Sequence, residues 1–206
     1  MEKEDGSFAE PVRNRRDVRL LWATPEADAR VVACLIHASS RQPLERCLAA
    51  AAAMNDQERE ALIRTALRHM EAYDPALREF EHVDLLYELT VSASCFAQLK
   101  RHRMATLTVQ DYDPTLGVTV PPSLREVGMD GAFLELVART DGVCRRIAEA
   151  CPRAAAYLLT NAHRRRVALK VNARELYHIS RLRADRHAQW DIRQVAEEMI
   201  AQAREV

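Results

Sequence analysis

A mixed α/β fold of the α+β kind is predicted by three observations. Residues 82–92 alternate, with Val83, Leu85, Tyr87, Leu89 and Val91 set against Asp84, Leu86, Glu88, Thr90 and Ser92, which is the period of a half-buried strand. From Asn172 onward an apolar stripe runs through Ile192, Val195 and Met199 at helical spacing, the mark of a long C-terminal helix. Strand-like and helix-like segments are interspersed along the chain with no internal repeat.

Residues 1–16 read as a flexible solvated tail ahead of one domain, 17–206. A short strand is expected at Asp17–Ala23. Thr24 then reads as a helix N-cap, with Pro25 at the first helical position and Glu26 and Asp28 in the first turn, and the helix runs to about Ala38. A second helix, about Pro43 to Met54, contains five successive alanines. Asp56 caps a third, in which Leu62, Ala66 and His69 share a face. After the alternating strand, 93–103 has helical composition. Residues 111–128, with Pro114, Gly117, Pro121, Pro122 and Gly128, form a loop. A helix opens at Asp130 or Gly131 and reaches about Cys151. Val167–Val171 is a short strand, and Asn172 with Glu175 three residues on is a capping box for the final helix.

Composition narrows the function classes. The 206 residues are 48% hydrophobic and 29% charged, an ordinary globular balance, and 30 basic residues offset 30 acidic ones. A chain with no basic excess is not expected to bind nucleic acid. No apolar run approaches the ~18 residues of a membrane span, and the polar N-terminus has no secretory h-region. A cytoplasmic protein is expected. Cys34, Cys47, Cys95, Cys144 and Cys151 are widely spaced with no Cys-x-x-Cys pair, so they read as reduced, mostly buried thiols. No His-Glu-x-x-His pair is present, and no metal site is expected.

Two segments carry chemistry. One is Gln98-Leu99-Lys100-Arg101-His102-Arg103, a basic triplet at a helix end. The other spans Asn172 to Arg193 and sets Asn172, Arg174, His178 and Arg183 on one helical run. At about 100° per residue, Arg174 and His178 share a face, whereas Asn172 and Arg183 point together in another direction. Either Asn172 lies outside the regular helix as its cap, or the helix serves two sites, as in an oligomer with sites between subunits. A solvated helix end would also account for the triplet, and a structural salt bridge for Arg183, which has Asp185 nearby.

Together these segments resemble the flavin-dependent thymidylate synthase family. The likeness extends more weakly to Val18–Ser40 and to Phe80-Glu81-His82. The resemblance implies an FAD-binding homotetramer whose sites mix residues from several chains. Arg101, His102, Arg103, Asn172, Arg174 and His178 would contact FAD. Gln98, Arg101 and Arg183 would meet a pyrimidine-like substrate, with Arg183 as the catalytic residue. The implied activity is that of a flavin-dependent thymidylate synthase-like methyltransferase, with one-carbon transfer to C5 of a uracil-type ring. NADPH would be the reductant and methylenetetrahydrofolate the carbon donor. A guanidinium fits that chemistry, because C5 becomes nucleophilic as negative charge spreads from N3 to O4.

The likeness fails at one place. After the triplet the family continues x-x-Ser-x-Asn-Glu-x-Ser-x-Arg-Tyr, whereas this chain has Thr106, Val109, Asp111 and Asp113 at the first serine, the asparagine-glutamate step, the second serine and the arginine. An ungapped count back from Asn172 puts Ala156 at another nucleotide-binding arginine. Carboxylates where the family holds a nucleotide phosphate repel a dianion. The His163-Arg164-Arg165-Arg166 run, with Lys170 nearby, could replace those contacts or be a solvated loop. The substrate is therefore open between dUMP and a different ring, as in secondary metabolism. The alternative is a flavin-binding homologue without synthase activity, serving as a redox or regulatory subunit.

Overall fold

The computed structural model describes residues 17–206; the expected tail, 1–16, lies outside the described residues. In chain order the elements are β1 (Val18–Ala23), α1 (Ala27–Ser39), α2 (Leu44–Ala53), α3 (Asp56–Ala66), β2 (Asp84–Ser92), α4 (Ala93–Leu99), β3 (Thr106–Val109), α5 (Pro122–Glu126), α6 (Asp130–Ala150), α7 (Pro152–Ala155), β4 (Arg164–Asn172), α8 (Ala173–Arg183) and α9 (Trp190–Ala203). They fall into two compact units. One takes in 18–89, 95–109 and 167–206, the other Asp17, 90–94 and 110–166.

The larger unit is organised by a sheet of order β1-β2-β4-β3. β1 pairs antiparallel with β2 through a bulge between Leu20 and Trp22, and β3 pairs antiparallel with β4. β2 and β4 also run antiparallel: the Ala173 N–H donates to Val83 O at one end and the Ala93 N–H to His163 O at the other. The predicted alternation holds, since Val83, Leu85, Tyr87, Leu89 and Val91 are all buried. Tyr87 donates its hydroxyl to Met199 O at 2.9 Å, tying β2 to α9, and burial pushes its phenol pKa up. α9 buries Ile192, Val195, Ala196 and Met199, and α8 buries Leu176 and Ile179. On β1, Gln202 of α9 takes the Leu20 N–H at 2.6 Å and gives its own amide hydrogen to Val18 O at 3.0 Å. α1 packs Ala29, Val32 and Ala33 against Cys47 and Ala51, with Leu62 and Ile63 of α3 alongside.

Several expectations change. Thr24 does not cap α1. Its N–H and hydroxyl pair with the Asp84 backbone, and Glu26 precedes the helix in a left-handed conformation at φ 50°. Asn55, not Asp56, caps α3, in a reciprocal capping box with Glu58. α3 ends at Ala66, so His69 is off its face. The strand expected at Val167–Val171 begins at Arg164, and β3 was not foreseen. The expected loop at 111–128 contains a 3₁₀ turn at Pro114–Leu116 and the short α5.

The single final helix is two. The Asp185 carboxylate takes the His187 N–H, and Gln189 caps a fresh start by accepting from the Ile192 N–H. Four of the five cysteines are buried free thiols and Cys151 is exposed, in keeping with the reading of mostly buried reduced thiols. None of the described helices is long and apolar enough to cross a membrane.

The smaller unit is pinned by His163, which is fully buried. Its Nδ1 accepts from the Thr160 N–H at 2.9 Å, so its Nε2 carries the proton donated to Asp141 Oδ1 at 2.8 Å. α6 runs 21 residues but buries only Val137 and Cys144.

Candidate functional site

The site grows from two helix ends within the larger unit. α4 finishes at Leu99, and the following turn, closed by the His102 N–H to Leu99 O, aims the His102 ring inward. α8 begins at the cap Asn172, whose Oδ1 accepts the Glu175 N–H at 2.8 Å. Asn172 therefore stands outside the regular helix, as its cap. Half of the expected capping box is diverted, because the Glu175 carboxylate turns to His102 Nδ1 at 3.0 Å.

His102 and Glu175 are 4% and 9% exposed. Arg183 donates its Nε to His102 Nε2 at 3.0 Å and its Nη1 to Gln98 Oε1 at 3.1 Å. Since guanidinium N–H groups can only donate, His102 Nε2 accepts, and Nδ1–H donates to Glu175. The cluster is thus one ordered chain, Gln98–Arg183–His102–Glu175. Burial holds the His102 pKa below the ordinary imidazole value, the Arg183 charge adds to that, and the Glu175 hydrogen bond opposes it.

Two consequences can be measured. A histidine whose native pKa lies below its unfolded value of about 6.5 contributes stability that is present above that pH. That contribution is lost as pH falls through the unfolded value toward the native one, so the urea midpoint should drop on acidification from pH 7, and a His102→Gln variant should flatten the drop. Glu175→Ala leaves the His102 N–H unpaired and is expected to cost about 1–3 kcal/mol in urea unfolding, with Glu175→Gln, whose amide oxygen still accepts, recovering much of it. A loss below ~0.5 kcal/mol for Glu175→Ala would contradict the chain.

The sequence-predicted residues divide. Gln98, His102 and Arg183 are joined directly, and His178, exposed on α8, sets its ring edge-on to His102 at 5.9 Å. Arg101 and Arg103 are exposed, and their guanidinium groups make no hydrogen bond or ion pair with any described residue. Arg174, one turn before His178, does not join this chain of hydrogen bonds. It donates to Ala76 O at 2.7 Å and to Glu81 at 2.9 Å, and Arg181, two turns on, donates to Asp74 O.

Glu81 is held below the usual carboxylate range by its hydrogen bond from Arg78, with Arg174 adding to the effect. Glu81 also lines a cavity of about 560 Å³ with Cys34, His37, Leu44, Arg78 and His82. From the sequence, Glu175 is legible only as a helix-capping partner and Glu81 only as part of the weaker resemblance.

At the positions where the likeness fails, the Asp113 carboxylate caps the 3₁₀ turn, accepting from the Thr115 N–H at 2.9 Å and its hydroxyl at 2.6 Å, while Asp111 is exposed. Arg164 is engaged by Thr119 and Asp17, and Arg165 by Gln110 O and the face of Tyr112. All of these lie in the smaller unit.

Residues 19–206 match the family model of the thymidylate synthase complementing protein. A UPF0159 protein of Chlamydia muridarum is 24% identical over 200 residues, covering 94% of this chain but 38% of its own length. The flavin-dependent thymidylate synthase of Saccharolobus solfataricus is 29% identical over 160 residues, 74% of this chain and 60% of that protein. That of Thermococcus kodakarensis is 27% identical over 183 residues, 78% and 74% respectively. The chain thus spans less than two thirds of the first two of these relatives.

Proposed function

We propose that this chain, which belongs to the thymidylate synthase complementing protein family, is an FAD-binding, thymidylate synthase-like enzyme that transfers one carbon to C5 of a uracil-type ring. The flavin is carried over from its relatives, which are flavin-dependent thymidylate synthases. The observation that carries the reading is the state of Arg183. Its two partners, a neutral imidazole and a neutral amide, fix its orientation without a carboxylate against it. The nearby Asp185 carboxylate is bound to His187 and does not neutralise it. A guanidinium held in place with its charge unspent, and Nη2 unused, suits the developing negative charge on a uracil N3–O4 edge.

The surrounding residues fit a flavin. The Arg101 and Arg103 guanidinium groups have no partner among the described residues, His178 is exposed beside the cluster, and Asn172 commits its oxygen to the cap but not its amide hydrogens. Those donors would hold the anionic and carbonyl-bearing parts of FAD; the bound flavin supplies the reducing electrons. Arg174 acts through the segment it clamps, Ala76 and Glu81. In this reading NADPH is the reductant, methylenetetrahydrofolate the carbon donor, and the working form a homotetramer in the cytoplasm.

Purified protein should show the two-band absorbance of oxidised flavin, or acquire it on adding FAD. Arg103→Ala and His178→Ala should each weaken binding about tenfold, as expected for one lost polar contact, and Arg174→Ala should weaken it less, through loss of the clamp on Ala76 and Glu81. Protein that stays colourless in excess FAD rules the proposal out. A second reading, a flavin-binding homologue without synthase activity, is favoured by one observation: Asp113 is a turn cap and offers no cation for a nucleotide phosphate.

A further inference from the structure

We propose that the outward face of α6 is a self-complementary interface that pairs antiparallel with α6 of a second copy across a two-fold axis. The inference does not rest on flavin binding; it assigns a surface and an orientation to the self-association. α6 is about 31 Å long. With about 100° per residue, Ala132, Leu136, Val143 and Ile147 fall within an arc of about 60° that runs most of its length. Leu136 and Val143 are 59% and 43% exposed. The residues this helix buries within its own unit, Val137 and Cys144, lie on a different arc, about 100° away. Met129, at the start of the helix, is also exposed. An apolar stripe of this kind on a long helix, broken only at mid-length where Arg139 and Thr140 border it, needs a cover.

Charge identifies the cover as a second copy. Glu135 and Arg146, both exposed, flank the stripe on the same side. In an antiparallel two-fold pair a flank meets the same flank of its partner. Centring the axis near Thr140 inserts Leu136 between Val143 and Ile147 of the other copy, and Val143 reciprocally beside Leu136. The same register brings Glu135 opposite Arg146 of the other copy, twice by symmetry. A parallel pairing would not bring Glu135 and Arg146 together. Arg139 lies near the axis on that flank and is the unfavourable element; Glu135, one turn earlier on each copy, offsets it.

Sedimentation of the full chain tests this. The chain should associate at micromolar concentration, and Leu136→Glu or Val143→Glu should at least halve the assembled mass while far-UV circular dichroism is retained. Glu135→Arg and Arg146→Glu should each weaken association about tenfold or more, because each creates two like-charge contacts, and the double exchange should restore it. A parent chain that sediments at 23.4 kDa overturns the proposal. So does an oligomer indifferent to both glutamate substitutions. Failure of the double exchange to rescue overturns the antiparallel register. Flavin absorbance, read separately on the same samples, reports on the FAD proposal alone.

Discussion

Arg183→Ala is expected to lower turnover of a uracil-type substrate by about 10²–10³-fold while the flavin absorbance stays, the size of effect seen when one preorganised donor to a developing negative charge is removed. The fixed guanidinium is what the cluster builds: Gln98 and His102 accept from it, and Glu175 holds the imidazole in the tautomer that can accept. Because alanine also strands the buried His102 Nε2, Arg183→Lys is the companion variant. It keeps the charge but cannot reach both acceptors with fork geometry, so its activity should fall between parent and alanine. Turnover of the alanine variant within threefold of the parent would remove Arg183 from the chemistry.

The nucleotide phosphate gives the second large effect. By the resemblance, positions that hold a 5′-phosphate read Asp111, Asp113 and Ala156 here. Each lost charge-assisted contact removes ~1.5–3 kcal/mol, so two lost arginines predict dUMP binding about 10²–10⁴ weaker than in a complete family site. Arg164 and Arg165 are already engaged within their own unit, which weighs against compensation by them. The expected outcome is an FAD-loaded protein with little dTMP synthesis and a preferred ligand lacking a dianionic phosphate. Titration that returns family-level dUMP affinity contradicts this. Loss of that affinity in an Arg164/Arg165/Arg166 triple alanine variant would then identify the replacement cations.

Where the sequence spoke clearly, a local rule coincided with a tertiary one. β2 alternates because one of its faces is buried, so period two was readable without neighbours. β4 was truncated in the reading because Arg164, Arg165 and Arg166 look like loop, although arginine stems can cover a strand's outer face while their heads find partners. The interruption between α8 and α9 contains no glycine or proline; it is made by the Asp185 and Gln189 side chains bonding to backbone N–H groups, which composition does not reveal. At Thr24 a good capping residue was drawn away by pairing with Asp84, 60 positions distant. The same limit applies to Glu175. Its offset from Asn172 fits a capping box, and only the fold brings His102 close enough to take its carboxylate.

Gln202 has a consequence for how this protein meets other chains. β1 is the outermost strand of its sheet, and an outermost strand offers unpaired N–H and C=O groups on which a foreign strand can add. The Gln202 amide occupies both such groups at Leu20 and Val18, imitating the next strand with a single side chain. Fraying of the last turn of α9, or proteolytic trimming before Gln202, would unmask this edge beside the exposed Leu21 and Trp22. Fibrillation and thioflavin fluorescence should therefore rise first in preparations shortened at the C-terminus, well before the sheet itself unfolds.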